Sequence, residues 1–207
     1  VFRRFSTSWG DQMSAVLGNA VLAFLESKDG GSLLDLRRFL MDKDVRSALL
    51  ASVADPLVVS FWKEEFPRLT GRPQMPIITR LDAFLRPKCI RNIVSQRKSR
   101  FDLGEVMDRG GIFIARLSQG AIGEQNAYLL GSLLVAKFQQ AAMARERQAE
   151  GERRPFFLYL DEFHHFTTPS ITALLSGARK YRLGLVLAHQ ELRQLGEHDI
   201  RSAVLAN

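Results

Sequence analysis

Three short apolar runs in the second half of the chain, residues 112–115, 156–160 and 183–188, constrain the fold most strongly. They are continuous rather than alternating, which suits parallel strands buried on both faces. Helical periodicity fills the gaps, over roughly 123–149 and 170–181. Strand–helix–strand–helix–strand in this order predicts right-handed crossovers and a doubly wound parallel sheet.

The first half reads differently. Trp9, Met13, Val16, Leu17, Ala20, Val21, Phe24 and Leu25 follow helical spacing, with Ser8 as an expected cap and Asp29-Gly30-Gly31 as the stop. Further helices are expected over 32–41, 42–53, from Asp55-Pro56 to Phe66, and over 77–85. Asp55 suits a cap and Pro56 the first helical position. No alternating strand pattern occurs here. The expected organisation is an all-α domain over residues 1–98 and an α/β domain over 99–207.

Charge divides along the same line. Residues 1–100 hold 17 Lys and Arg against 10 Asp and Glu, a net of +7, whereas residues 101–207 hold 12 of each. The excess peaks at Arg86, Lys88, Arg91, Arg97, Lys98 and Arg100, with no acid between Asp82 and Asp102. Such a cluster can hold phosphates, although a solvated loop has the same composition. One cysteine, Cys89, excludes an internal disulfide. The most apolar stretch, 128–138, is too short to span a bilayer, and no signal peptide is evident. The chain opens on Val1 and stops at Asn207 inside a helix-like pattern, so a fragment of a longer protein is expected.

Ligands of an open parallel sheet bind at the carboxyl ends of its strands. The middle run ends in Asp161-Glu162 and the last in His189-Gln190. Paired carboxylates at a strand end suit phosphoryl transfer. One holds Mg²⁺ through its water shell, and the next orients and polarises the attacking water. Gln190 can contact a γ-phosphate or that water. Arg179, at the end of the intervening helix, can reach a neighbouring subunit's phosphate as an arginine finger or simply complement the helix dipole. The run Asp161-Glu162-Phe163-His164-His165 also invites a metal reading, against which stands the lack of a Cys or third His nearby in sequence. No Gly-x-Ser-x-Gly elbow supports nucleophilic catalysis. No Gly is followed by Lys, so the phosphate-binding loop of a P-loop enzyme is missing.

The stretch FFLYLDEFHHFTTPSITALLSGARKYRLGLVLAHQELRQ, residues 156–194, resembles the Walker B to sensor region of the HerA/FtsK superfamily. It is most similar to conjugative coupling proteins of type IV secretion, the TraD/TraG type. GGIFIARLSQGAIGEQNAYLLGSLLVAKFQQAAMAR resembles the family's preceding strand and long helix, and residues 7–98, from TSWGDQM, its inserted all-α domain. The resemblance implies the C-terminal part of a RecA-like core. It implies an ATPase that pumps DNA with relaxase or secretion-system partners as a homo-hexamer, its catalytic domain in the cytoplasm and the full-length protein anchored to the inner membrane. In this reading Asp161 is the Mg²⁺-associated acid, Glu162 the catalytic glutamate, Gln190 the sensor and Arg179 a candidate finger. ATP and Mg²⁺ are the implied cofactors. The Walker A loop is expected upstream of Val1, which leaves this chain alone inactive. Two other functions fit the same residues: a HerA-like DNA-processing helicase, and a helical half that serves as a substrate-recognition module.

Overall fold

The structure, a computed structural model, describes residues 9–96, 99–166, 174–175, 177–190 and 202. The chain divides into two compact units, residues 2–99 and residues 100–207.

The described residues of the first unit form helices only. Helix α1 (Asp11–Glu26) buries Met13, Val16, Ala20 and Ala23 along one stripe. Helix α2 (Leu33–Met41) opens on a capping box, with Asp35 N–H donating to Ser32 Oγ and Ser32 N–H donating to Asp35. Asp42 ends α2 and caps α3 (Lys43–Leu50) by accepting the amides of Asp44 and Val45. Asp55 accepts the Leu57 amide, and Pro56 starts α4 (Pro56–Ser60). The chain continues through a π-helical turn, Phe61–Glu65, and a 3₁₀ turn, Phe66–Arg68. Helices α5 (Gln74–Leu85) and α6 (Lys88–Val94) complete the described part.

Phe39 and Trp62 meet edge to face at 4.7 Å at the centre of this core. Trp62 Nε1–H donates to the Asn19 carbonyl at 3.3 Å, so the buried indole leaves no donor unpaired. The Arg37 guanidinium ties α2 to α5 through both oxygens of Asp82.

The second unit is mixed α/β. Helix α7 (Leu103–Arg109) is capped by Asp102 and stopped by left-handed Gly110. The short α8 (Gln119–Ile122) leads into α9 (Glu124–Ala144). Strands β1 (Phe156–Leu160) and β2 (Leu183–Leu187) are parallel, with Phe156 opposite Leu183 and Leu160 opposite Leu187. Val135, Phe138 and Ala142 of α9 share one core with Leu158, Leu160, Phe163 and Leu183.

Three expectations are corrected. Residues 112–115 form no strand. Phe113 packs on Phe101 and Phe138, whereas Ile112 and Ile114 are 90% and 86% exposed. A strand needs a hydrogen-bonded neighbour, and residues 112–115 have none among the described residues; an apolar run alone does not supply one. The sheet described here is therefore two-stranded. Nor is it buried on both faces: Leu158 and Leu160 are buried, but Phe157 and Tyr159 are exposed. Finally, α9 ends at Ala144 rather than near 149, followed by 3₁₀ turns at Arg145–Arg147 and Glu150–Glu152. Of the expected helix at 170–181, residues 174, 175 and 177 are helical and the last part, Ala178–Tyr181, is a 3₁₀ turn, while residues 170–173 and 176 lie outside the described residues. Ser8 also lies outside them; the residue preceding α1 is Gly10.

Arg145 explains where α9 stops. Its side chain is 1% exposed and pairs with Asp108 at 2.9 Å. It also donates to the Arg154 carbonyl at 3.0 Å and the Tyr181 carbonyl at 3.3 Å. One guanidinium thus joins α7, α9 and the segments leading into both strands. Arg145→Ala leaves two carbonyls and a half-exposed carboxylate without this partner, and is expected to cost roughly 2–3 kcal/mol in urea unfolding.

The Arg37 guanidinium, chiefly through its hydrogen bond, holds the Asp82 carboxyl below its ordinary range. A depressed carboxylate pKa gives stability that is present above the unfolded-state pKa and is lost as pH falls through the folded-state value. Both side chains are about one-third or more exposed, at 31% and 42%, so screening limits the effect to about 1 kcal/mol or less. Acid titration of unfolding should show that component in the native chain and not in Asp82→Asn.

Candidate functional site

Alternation along β1 separates the two adjacent carboxylates. Leu158 and Leu160 face the core and Phe157 and Tyr159 face out, so Asp161 continues the outward set and Glu162 the inward one. Asp161 is exposed and Glu162 half-buried, in keeping with that register. Asp161 Oδ1 accepts the Glu162 amide at 3.1 Å.

The pairing of the strands runs past their ends. Ala188 N–H donates to the Leu160 carbonyl and Phe163 N–H to the Ala188 carbonyl, at 3.0 and 3.1 Å. Between these bonds Glu162 adopts a left-handed backbone, φ 48°, a costly conformation for a residue other than glycine. The chain then turns into the 3₁₀ segment Phe163–Phe166, closed by His165 N–H on the Glu162 carbonyl. Phe163 is fully buried and anchors the turn, with the His189 ring edge-on at 5.4 Å.

This geometry brings Gln190 to Glu162: Gln190 Nε2 donates to Glu162 Oε1 at 2.7 Å. The other oxygen, Oε2, lies 3.4 Å from His164 Nδ1. His165 stacks on Tyr128 of α9, with centroids 3.9 Å apart, and the Tyr128 hydroxyl lies 3.1 Å from Nε2. That hydroxyl donates to Glu124 at 2.9 Å and accepts from Gln119 at 3.3 Å. Burial first, then the hydrogen bond and charge of Glu124, push the Tyr128 phenol above its ordinary range. Sequence reasoning missed Gln119, Glu124 and Tyr128. The spacing of Glu124 and Tyr128, one helical turn apart, was the available signal.

Glu162 and His165 stand at one side of a cavity of about 440 Å³. Phe113, Ala115 and Leu117 line it with Phe157–Leu160, and α9 contributes Tyr128 and Gly131. The cavity combines apolar walls with convergent polar groups, the usual make-up of a small-molecule site.

Arg179 is not part of this group. It is exposed in the 3₁₀ turn before β2 and accepts the Arg182 amide, and Arg182 pairs with Phe156 at the start of β1. Five strand residues, roughly 15 Å, separate that end from Glu162. Of the basic cluster, Arg86 and Lys88 are exposed at the junction of α5 and α6. The Arg91 guanidinium is engaged, donating to the Leu85 and Arg86 carbonyls at 2.9 and 2.7 Å, where it closes the end of α5. Arg100 is exposed in the α/β unit. Arg97 and Lys98 lie outside the described residues. No helix among the described residues is long and apolar enough to cross a membrane.

Gly131 sets how closely α9 approaches the turn. A Cβ there would meet Phe166 at 2.3 Å and Leu117 at 2.9 Å. Gly131→Ala gains helix propensity of up to about 1 kcal/mol but forces the Phe166 ring away. A net loss of about 1 kcal/mol is expected, with a shifted His165 resonance in NMR spectra as the local readout.

Comparison with protein-family models, curated proteins and solved structures finds no match to this chain.

Proposed function

We propose that this chain supplies the carboxylate side of an ATPase site in a DNA translocase of the coupling-protein type, within a RecA-like core. The observation that carries this reading is the 2.7 Å hydrogen bond from Gln190, after one parallel strand, to Glu162, after its neighbour. A polar residue at the end of the adjacent strand can sense the state of a catalytic carboxylate only if the two touch, and here they do.

The roles divide by exposure. Asp161 is exposed, and among the described residues its carboxylate accepts a hydrogen bond from the next residue's amide, so it fits a Mg²⁺ ion held through water. Glu162 is held at one oxygen by Gln190 and is positioned to orient a water and accept its proton. ATP fits less completely. The 207 residues contain no Gly-Lys phosphate loop, so these residues hold the carboxylates and the sensor but not the phosphate cradle. Arg179, exposed at the opposite end of the sheet, serves this reading only as a group presented to another subunit of a hexamer. The net +7 of the first half, with Arg86 and Lys88 exposed, supports DNA as the polyanion moved. Relaxase or secretion-system partners and a cytoplasmic location follow from the family resemblance alone.

The test joins residues 1–207 to a segment carrying a phosphate-binding loop and measures ATP turnover. Glu162→Gln is expected to lower turnover about 10²–10⁴-fold with nucleotide binding retained. Undiminished turnover in that variant would remove Glu162 from the role.

A further inference from the structure

We infer that Glu162, His164 and His165 form a binding site for a borderline transition-metal ion of the Zn²⁺ or Co²⁺ class, distinct from the Mg²⁺ position assigned to Asp161. Each of the three residues offers one ligand atom, and these atoms lie within 4.8 Å of one another. All three residues are half-buried. They converge because of the backbone: left-handed Glu162 followed by a 3₁₀ turn folds residues 162, 164 and 165 onto one side.

The surroundings fit ligation. Gln190 holds Glu162 Oε1 and leaves Oε2 directed at His164, 3.4 Å from Nδ1. A hydrogen bond of this kind to a ligating carboxylate orients it and tunes its basicity. Tyr128, fixed by Glu124 and Gln119, stacks flat on His165 and limits its ring to few orientations. The His164 and His165 rings already lie 3.8 Å apart. Ligand atoms around four-coordinate zinc are separated by about 3.3 Å, so closing the site takes side-chain rotation within one anchored turn and no rearrangement of the sheet. Two imidazoles and one carboxylate favour Zn²⁺, Co²⁺ or Ni²⁺ over Mg²⁺ or Ca²⁺, which take oxygen ligands. Three protein ligands leave a coordination position open to water.

An ion bound here engages the same carboxylate that Gln190 touches. The site is nevertheless defined by metal binding alone, so its failure and that of the ATPase reading are separable. The whole chain, free of nucleotide, is titrated with Zn²⁺ by calorimetry and with Co²⁺ by visible absorption. One equivalent is expected to bind, with a Co²⁺ ligand-field spectrum. His164→Gln and His165→Gln are each expected to weaken binding about 10-fold or more. X-ray absorption of the Zn²⁺-loaded native chain should show two imidazole ligands, a readout that requires no variant to fold. Zn²⁺ uptake that persists in the folded His164→Gln/His165→Gln double variant, or a bound ion with fewer than two imidazoles, would overturn the proposal. So would the absence of any Co²⁺ spectrum.

Discussion

The arrangement of the candidate site depends on the parallel ladder between β1 and β2 and on its continuation through Ala188. The bonds from Ala188 to Leu160 and from Phe163 to Ala188 hold the two chain segments together one residue beyond β2 and three residues beyond β1. Glu162 is caught between them, so its backbone must turn sharply to let Phe163 drop into the core. Gln190, two residues past Ala188, then reaches the Glu162 carboxylate without a long loop. A slip of one residue in register would move Leu158 and Leu160 to the exposed face and Asp161 to the inward position. The buried leucines therefore hold the identity of the inward carboxylate.

That carboxylate is the point where separate networks meet. Gln190 approaches it from β2, His164 from the turn, and His165 leads through Tyr128 to Glu124 and Gln119 on α8 and α9. A left-handed glutamate is strained, and the buried Phe163 ring with the His165 amide bond keeps the turn closed against that strain. Strain retained next to a polar cluster is expected where a side chain must be aimed rather than merely packed.

Several of these features were legible in the sequence for identifiable reasons. Asp55 is a side chain whose capping role follows from position alone, and the apolar spacing of Met13, Val16 and Ala20 announces the buried stripe of α1. The run from Phe156 to Leu160 was recognisable as a strand because it is short, apolar and followed directly by carboxylates. Residues 112–115 have the same composition but lack a ladder partner among the described residues, and composition carries no information about partners. The early end of α9 was hidden because Arg145 looks like a solvated residue in a charged run; only Asp108 and the carbonyls of Arg154 and Tyr181, brought to it by the fold, make burial worthwhile. Tyr128 and Gln119 were hidden for the same reason, since their meaning lies in what His165 brings to them.

The outward face of the sheet follows its own logic. Phe157 lies opposite Gly184 and Tyr159 opposite Val186, and a Cβ on Gly184 would meet the Phe157 ring at 2.5 Å. The ring therefore lies over the glycine and covers backbone that no side chain of its own protects, while Tyr159 and Val186 make an aromatic and β-branched cross-strand pair. These pairs join side chains across the ladder on the exposed side of β1. The inward face gains its order from the apolar core and the outward face from neighbour-on-neighbour pairs. Because one backbone carries both sets, the position of Asp161 on the outward side and Glu162 on the inward side is determined twice, once from each face.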